Sequence, residues 1–338
     1  MSIRVIRQGL LTTIQDMGRS RYQKYGVTVG GAADRNAARI ANMLVGNEES
    51  EAVLELTLAG AELCFEREQL IAVCGGDMTP KINGKQIPMW RPVLVMEGSI
   101  LKLASCVSGC RAYVAVAGGI DVPNIMGSRS TYQRASIGGL EGRPLRNGDV
   151  VNVGTPHKGS LSERMIVALK AESNGTFVAA RWHVGHFANG SDQEVIEIRA
   201  MRGAHISRLA GESRKRLFGQ TFRISYQSDR MGCRLEGERL QLVVTDELLS
   251  EAVTCGTVQL PAGGQPIMLL ADRQTTGGYS RIAQVAAVDL SVAAQLKPGD
   301  VFRFTEVTQQ RSEALMLEAE RELKIMAAAI ELKYRAAK

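Results

Sequence analysis

Short apolar segments that alternate with glycine-rich turns run along most of this chain. Residues 53–58, 70–74 and 111–117 have the length and composition of β-strands. Glycine accounts for 35 of the 338 residues, often in pairs, and Asn83-Gly84 is a typical hairpin turn. Many short strands joined by such turns favour a barrel or a sandwich, so the sequence predicts a mainly β protein.

Two helices interrupt the β pattern. Asp34 can cap a helix that ends at Gly46 and carries an apolar face. The C-terminal residues 308–338 repeat apolar side chains at spacings of three and four, which predicts a long amphipathic helix packed on its own chain or on a partner. The members of that repeat are Leu315, Ala319, Leu323, Met326, Ile330 and Tyr334.

Several short motifs occur twice in the same order. The sequence L-R-N-G-D-V-V-N-V at 145–153 is echoed by L-K-P-G-D-V-F-R-F at 296–304. Such repetition predicts two related β domains, 1–155 and 176–307, connected by the polar residues 155–175. The other echoes are Met17-Gly18 with Met231-Gly232, and Ser50-Glu51-Ala52-Val53 with Ser250-Glu251-Ala252-Val253.

Composition narrows the class of protein. A net charge of +6 dispersed over the chain does not predict a nucleic-acid surface, and no apolar run is long enough to predict a transmembrane helix. Arginines interrupt the apolar N-terminus, so no secretory signal is expected. Six scattered cysteines predict reduced thiols in a cytoplasmic protein without a metal site.

Common catalytic motifs are missing from the sequence. It contains no G-x-x-x-x-G-K-[ST] loop for ATP, no G-x-G-x-x-G, no H-E-x-x-H and no G-x-S-x-G. His183 and His186 are close together, but loop or surface histidines are the more common explanation of such a pair.

The segment 259–281 is the strongest candidate site. A short apolar strand lies between two glycine pairs and ends in a row of polar residues, which is typical of a site held at a rigid edge. Asp272 is a candidate base there, and a hydrogen-bonded loop is the alternative. The candidate binding residues of this segment are Gln274, Thr275, Thr276, Gly277 and Gly278.

Two further clusters contain anion-binding side chains. Arg230 and Arg234 could clamp a carboxylate or a phosphate, or could pair with Asp229 and Glu236. The residues Ser128, Arg129, Ser130 and Thr131 could bind an anion, or could satisfy the backbone of their own turn.

Asp77 follows a strand and a glycine pair, as Asp272 does. Two carboxylates that face one cleft could perform acid–base chemistry, so Asp77 is the second candidate catalytic residue.

Four long motifs together resemble one family. They are G-L-L-T-T-I-Q-D-M-G-R at 9–19, G-G-I-D-V-P-x-x-M-G-S-R-S-T at 118–131, S-D-R-M-G-x-R-L-E-G at 228–237, and the segment 259–281. The match resembles the C-type subunits of 5-oxoprolinase (the PxpC/KipA family), also labelled allophanate hydrolase subunit 2. It is similar to part of the carboxyltransferase region of urea carboxylase.

The resemblance implies two tandem cyclophilin-like β-barrels and a complex with two other proteins of 5-oxoprolinase, its B-type subunit (the KipI type) and its A-type subunit. It implies ATP-driven opening of 5-oxoproline to L-glutamate, with no activity expected of the chain alone. ATP would bind an unusual pocket, an interface or another protein of the complex.

Two alternatives follow from the same resemblance. One is a regulatory protein that binds the KipI-type protein and relieves its inhibition of a histidine kinase. The other is a carboxyltransferase component, which would use biotin carried on another protein because this chain has no biotin-attachment segment.

Overall fold

The computed structural model describes residues 2–171, 175–185, 195–244, 246 and 248–335. The chain divides into two compact units. The first contains Met1–Arg19, Asp34–Phe187 and Glu322–Lys338, and the second contains Ser20–Ala33 and Ala188–Arg321. The predicted domains, 1–155 and 176–307, have other bounds and remain a prediction.

The strands of the first unit form two six-stranded sheets, in the orders β11-β1-β4-β9-β6-β7 and β12-β8-β5-β10-β3-β2. These strands are β1 (Ser2–Arg7), β2 (Leu11–Gln15), β3 (Val53–Thr57), β4 (Glu62–Phe65), β5 (Gln69–Asp77), β6 (Lys81–Ile82), β7 (Lys85–Gln86), β8 (Val93–Val95), β9 (Ile100–Lys102), β10 (Ser108–Val116), β11 (Val150–Asn152) and β12 (Phe177–Ala179). Both sheets contribute to one apolar core, which includes Val5, Leu63, Leu54 and Val114.

A glycine lets the chain change sheets between β1 and β2. Gly9 has φ +74°, and an added Cβ would lie 2.6 Å from the Ala59 carbonyl oxygen. Only glycine adopts this left-handed conformation at so close an approach without strain. The predicted turn at Asn83-Gly84 is confirmed, since it joins β6 to β7 with positive φ at both positions.

The second unit contains a closed barrel with the strand order β13-β20-β17-β18-β15-β14-β21. A parallel pairing of β13 with β21 closes the ring. A two-stranded ribbon of β16 and β19 lies outside this barrel. The strands are β13 (Ile196–Arg202), β14 (Thr221–Ile224), β15 (Gly232–Glu236), β16 (Glu251–Ala252), β17 (Thr257–Leu260), β18 (Ile267–Leu269), β19 (Thr276–Gly277), β20 (Ser280–Val285) and β21 (Val301–Glu306).

The helices are α1 (Arg35–Leu44), α2 (Leu161–Lys170), α3 (Gly211–Gly219), α4 (Leu290–Gln295) and α5 (Gln309–Lys333). The predicted cap of α1 is confirmed, because the Asp34 carboxylate accepts a hydrogen bond from the Ala37 N–H at 3.0 Å. The predicted C-terminal helix is also confirmed as α5, and Leu323 and Ile330 of its apolar repeat are buried. The mainly β fold class is therefore confirmed.

The sequence indicated residues 155–175 as the connection between the domains, and a helix within them was not predicted. Helix α2 lies within this segment, and the Ser160 hydroxyl caps it by accepting from the Glu163 N–H at 3.2 Å. Met165 and Leu169, spaced by four residues, are buried on its inner face. A cap followed by an i, i+4 apolar pair is a helix signal that the segment's polar composition obscured.

One of the repeated motifs adopts the same turn in both units. The Asp149 carboxylate accepts from the Arg146 N–H at 2.7 Å, and the Asp300 carboxylate accepts from the Lys297 N–H at 2.9 Å. Each turn leads into a strand, β11 or β21, as the sequence predicted. The shared motif therefore encodes a shared local structure.

Three phenylalanines form the centre of the barrel core, so this cluster is the natural test of its stability. Phe302 is fully buried, with ring centroids 6.0 Å from Phe222 and 5.1 Å from Phe304. We expect Phe302→Ala to lower the free energy of unfolding by about 3–5 kcal/mol, because it removes buried area and leaves a cavity. Urea denaturation measures this change.

Tyr226 supplies a matched aromatic control in the same unit. Its side chain is 85% exposed. Tyr226→Ala should change the stability by no more than about 0.5 kcal/mol. Equal losses in the two variants would contradict the assignment of Phe302 to the core.

Candidate functional site

The polar segment that begins at Asp272 is anchored to the barrel by its backbone. The Leu270 N–H donates to the Met231 carbonyl at 2.8 Å, and the Asp272 N–H donates to the Arg230 carbonyl at 2.9 Å. These bonds continue the pairing of β18 with β15 past the end of the strand. Asp272 is thus held in a fixed position, and it is only 8% exposed.

Arg230 and Asp272 form a buried bidentate ion pair. The Arg230 Nε lies 2.9 Å from Asp272 Oδ2, and Nη2 lies 3.0 Å from Oδ1. Both carboxylate oxygens therefore accept from a guanidinium, which is the strongest common geometry for such a pair. The Asp272 carboxylate is thus engaged by Arg230, and its predicted role as a base remains a prediction.

The same arginine binds the glycine-rich segment 20–33. Arg230 Nη2 donates to the Gly31 carbonyl at 2.6 Å. Gly30 has φ +62°, and a Cβ there would lie 3.5 Å from Asp272 Oδ1. The Thr28 hydroxyl also donates to the Arg273 carbonyl at 3.3 Å. The ion pair thus fastens this segment to the barrel.

The residues that follow Asp272 cover the outer face of β17. Gln274 Nε2 donates to Gln259 Oε1 at 3.4 Å, and the Thr275 carbonyl accepts from the Val253 N–H at 3.1 Å. Thr276 is exposed, and with Gly277 it forms β19, which pairs with β16. Gly278 follows the ribbon.

Sequence reasoning missed two residues at this place. Gln259 is 1% exposed, and Arg281 pairs with it in register between β17 and β20. Arg281 also forms an ion pair with Glu251, and its backbone N–H donates to His205 Nδ1 at 3.1 Å. The sequence offered one signal for these two residues, namely a glutamine and an arginine on the polar sides of two neighbouring strands.

Arg234 and Asp229 both contribute to the turn at residues 228–234. The Arg234 side chain is exposed, and its backbone N–H donates to the Ser228 hydroxyl at 3.1 Å. Asp229 accepts from the Met231 N–H at 2.7 Å and so stabilises its own turn. Of the two carboxylates, Asp272 is the one that forms the bidentate pair with Arg230.

The cluster at 128–131 in the first unit surrounds a carboxylate of the chain itself. Asp16 accepts from the Ser128 hydroxyl at 2.7 Å, from the Arg129 N–H at 2.6 Å and from the Ser130 hydroxyl. Asp16 is 6% exposed. These three donors are already bonded to a carboxylate of the chain. This result is close to the second prediction for the cluster, in which the same groups satisfy the backbone of their own turn.

The side chain of Arg129, and the candidate residues Thr131 and Asp77, contact groups other than Asp16. Arg129 Nη1 is 3.5 Å from Glu51 Oε2, so this guanidinium also faces an acidic side chain. Thr131 is buried, and its carbonyl accepts from Gln15 Nε2 at 3.1 Å. Asp77 ends β5 and accepts from the Thr79 N–H at 2.7 Å.

A third polar cluster of the first unit is fully enclosed. The Tyr113 hydroxyl donates to Glu55 at 2.9 Å and accepts from the Asp34 N–H at 2.8 Å. Burial, reinforced by the charges of Glu55 and Asp34, raises the pKa of Tyr113 well above its ordinary value. The phenol stays protonated and fixes the start of α1. Burial also raises the pKa of the Cys74 thiol.

Each unit contains a sizeable cavity. In the second unit a groove of about 1440 Å³ lies between the barrel and the first turns of α5, with Met201, Val285 and Met316 in its lining. In the first unit a polar cleft of about 620 Å³ is lined by Asn47 and His157, among others. Neither of these cavities is lined by Arg230 or Asp272.

Comparison with known proteins identifies the family. The model described as "Carboxyltransferase domain, subdomain A and B" matches residues 25–306. The chain belongs to this carboxyltransferase-domain family. The resemblance to the C-type subunits of 5-oxoprolinase, predicted from the motifs, is confirmed.

Two curated bacterial members of the family are similar to the chain over nearly their whole length. One is the 5-oxoprolinase C subunit of Escherichia coli (strain K12), which is 35% identical over 92% of this chain and 93% of its own. The other is the 5-oxoprolinase C subunit of Haemophilus influenzae, which is 34% identical over 90% of each chain.

A solved structure extends the family to a larger enzyme. The Kluyveromyces lactis urea amidolyase superimposes with a TM-score of 0.83 at 29% identity. The match covers 95% of this chain but only 20% of the amidolyase chain. The present fold therefore corresponds to one part of that protein.

Metal-binding and membrane-spanning features are absent from the described part of this family member. Its histidine, cysteine and acidic side chains form no group of three or more that could hold a metal, and His186 lies outside the described residues. No helix within the described ranges has the length and apolar character needed to cross a membrane. Cys64 and Cys74 are free thiols, and Cys74 is buried.

The coupling between Arg230 and Asp272 can be measured in a double-mutant cycle. We expect Arg230→Ala or Asp272→Ala alone to lower the free energy of unfolding by about 3–5 kcal/mol, because each leaves a buried charge without its partner. The double variant should lose clearly less than the sum of the two. Chemical denaturation of the four proteins supplies the values.

An exposed pair in the same unit serves as the control. Arg216 lies 3.2 Å from Glu238, with the two side chains 45% and 70% exposed. Arg216→Ala should cost no more than about 1 kcal/mol, because exposed ion pairs contribute little. Additive losses for Arg230 and Asp272 would show that the buried pair is not a coupled unit.

Proposed function

We propose that the chain is the C-type subunit of an ATP-dependent 5-oxoprolinase, which opens 5-oxoproline to L-glutamate together with its A-type and B-type subunits. The observation that carries the proposal is the near full-length similarity to two bacterial proteins of that name. The match to urea amidolyase covers only a fifth of the amidolyase chain, so it supports an assignment of function less strongly than these two proteins do.

The reaction explains why several proteins are required. A five-membered lactam is an unreactive amide, and phosphorylation of its carbonyl oxygen by ATP makes the carbon a better electrophile for water. That chemistry needs a site for the lactam, a cradle for phosphate and exclusion of bulk water. The present chain is inactive alone in this proposal, because it supplies only part of this set.

Two of the arginines considered as phosphate clamps already face carboxylates. Arg129 faces Glu51 and Arg230 faces Asp272, and the sequence has no P-loop. A guanidinium paired with a carboxylate would have to give up that partner to bind phosphate. We therefore assign ATP binding to another protein of the complex and derive no step through ATP here.

We assign substrate binding to the second unit of the chain. Its buried ion pair fixes the glycine-rich segment, and its polar residues after Asp272 lie on a rigid barrel edge. A site built on such an edge keeps its geometry better than one built on a free loop. Asp77 remains a candidate base that belongs to the first unit.

A carboxyltransferase component is the second candidate function. The family model and the similarity to urea amidolyase favour it specifically. In that case the substrate would be a carboxyl group carried on the biotin of another protein.

Reconstitution distinguishes these functions. The full chain is mixed with its cognate A-type and B-type subunits, ATP and 5-oxoproline, and glutamate and ADP are measured. We expect glutamate only when all three proteins are present. Glutamate formation that does not depend on this chain would rule out the proposal.

A parallel reaction tests the alternative. It contains labelled bicarbonate, ATP, a biotinylated carrier protein, biotin carboxylase and an amide acceptor such as urea. Incorporation of label that requires this chain would assign it to carboxyl transfer instead.

A further inference from the structure

Two buried N–H groups on the outer face of the barrel have no hydrogen-bond partner among the described residues. They are Nε2 of Gln259 and Nε of Arg281. The two residues are paired in register on β17 and β20. Val258 and Leu260 belong to the barrel core, so Gln259 between them points to the opposite side. Paired residues on neighbouring strands lie close together, and the two donors share one region.

The Gln259 amide is confined where it stands. Its Oε1 accepts from Gln274 Nε2 at 3.4 Å. A Cβ on Gly277 would lie 2.6 Å from Gln259 Nε2, so a larger residue there would have to push the amide aside. The amide is thus enclosed on the side of the loop, with one of its polar groups satisfied and the other not.

Arg281 has its charge balanced but retains a donor. Nη2 pairs with the Glu251 carboxylate, and Nη1 donates to the Ala252 carbonyl at 3.3 Å. Glu251 also lies 3.8 Å from His205 Nε2. Because Glu251 neutralises the guanidinium, a further carboxylate would meet no net positive charge. A neutral oxygen acceptor fits the two remaining N–H groups better.

Buried donors without partners are rare, because each loses its bonds to water and gains nothing in return. Two such donors on paired residues of neighbouring strands favour a ligand that supplies the missing acceptor. We propose that Gln259 Nε2 and Arg281 Nε bind the carbonyl oxygen of a cyclic amide. This rests on the proposed function, in which that oxygen is the lactam oxygen of 5-oxoproline.

The cover over the two donors is a short element. Strands β16 and β19 contain two residues each, and Thr276 is exposed. An isolated two-stranded ribbon has little stability of its own. Displacement of β19, whose Gly277 lies against Gln259, gives a small ligand access to this side chain, while Glu251 and Ala252 of β16 stay bonded to Arg281.

Binding can be tested without any enzymatic activity. The full chain is labelled with ¹⁵N at glutamine side chains, and the Gln259 signal is assigned by its loss in Gln259→Met. The probes are 2-pyrrolidinone, which has a lactam carbonyl and no carboxylate, and proline, which has a carboxylate and no lactam. We expect 2-pyrrolidinone to shift the Gln259 amide signal and proline to leave it unchanged.

The opposite results overturn the proposal. If 2-pyrrolidinone at saturating concentration leaves the Gln259 signal in place, no carbonyl binds there. If proline shifts the signal and 2-pyrrolidinone does not, the site takes a carboxylate.

Three variants then test the role of these donors in the complex. Gln259→Met removes the donor at nearly constant volume, and Arg281→Lys keeps the charge opposite Glu251 but has no Nε donor. We expect each to raise the KM for 5-oxoproline by about tenfold or more, with a smaller change in kcat. Gln227→Met, at an exposed glutamine of the same unit, should leave both constants unchanged.

Thermal stability separates binding from a structural role. Gln259→Met should melt at about the same temperature as the parent, because removal of a buried donor without a partner in the described part of the chain offsets the loss of the long bond from Gln274. A lower melting temperature with an unchanged KM would show that Gln259 is structural and overturn the proposal. A complex that makes no glutamate, combined with the expected shift by 2-pyrrolidinone, would refute the proposed function and leave the carbonyl site standing.

Discussion

The buried ion pair between Arg230 and Asp272 is the interaction on which the second unit's polar face depends. It joins a residue before β15 to a residue after β18, and the same guanidinium holds the Gly31 carbonyl. A buried pair of this kind is costly to desolvate, and it is stabilising only when its hydrogen bonds are complete. Here both carboxylate oxygens are satisfied, so the pair fixes position more than it provides chemistry.

Local structure was predictable from the sequence because its causes lie within a few residues. The Asp34 cap, the Asn83-Gly84 turn and the turns at Asp149 and Asp300 all depend on contacts between near neighbours. Side chains in such motifs bond to adjacent backbone, and their residue types therefore identify them. Helix α2 was missed because its capping signal lies inside a polar segment.

The partners of the candidate site residues were not predictable in the same way. Ser128 and Ser130 were recognised as donors, but their acceptor, Asp16, precedes them by more than a hundred residues. Arg230 was recognised as a clamp, and its carboxylate proved to be Asp272 of another candidate motif. Residue type reveals what a side chain can bind, whereas the fold decides which group it meets.

Gln259 and Arg281 differ from the groups that bind Asp16 in the donors that remain. The Ser128 and Ser130 hydroxyls and the Arg129 N–H all bond to Asp16, whereas Arg129 Nε and Thr131 Oγ1 of the same cluster are buried without a partner among the described residues. Gln259 and Arg281 each have one satisfied side and one buried N–H without an acceptor among the described residues. Unused donors on a rigid barrel are preorganised, so a ligand that completes them needs only the short strand β19 to move. Such a surface holds a small amide well, while the reactive phosphate chemistry is left to groups supplied by another protein of the complex.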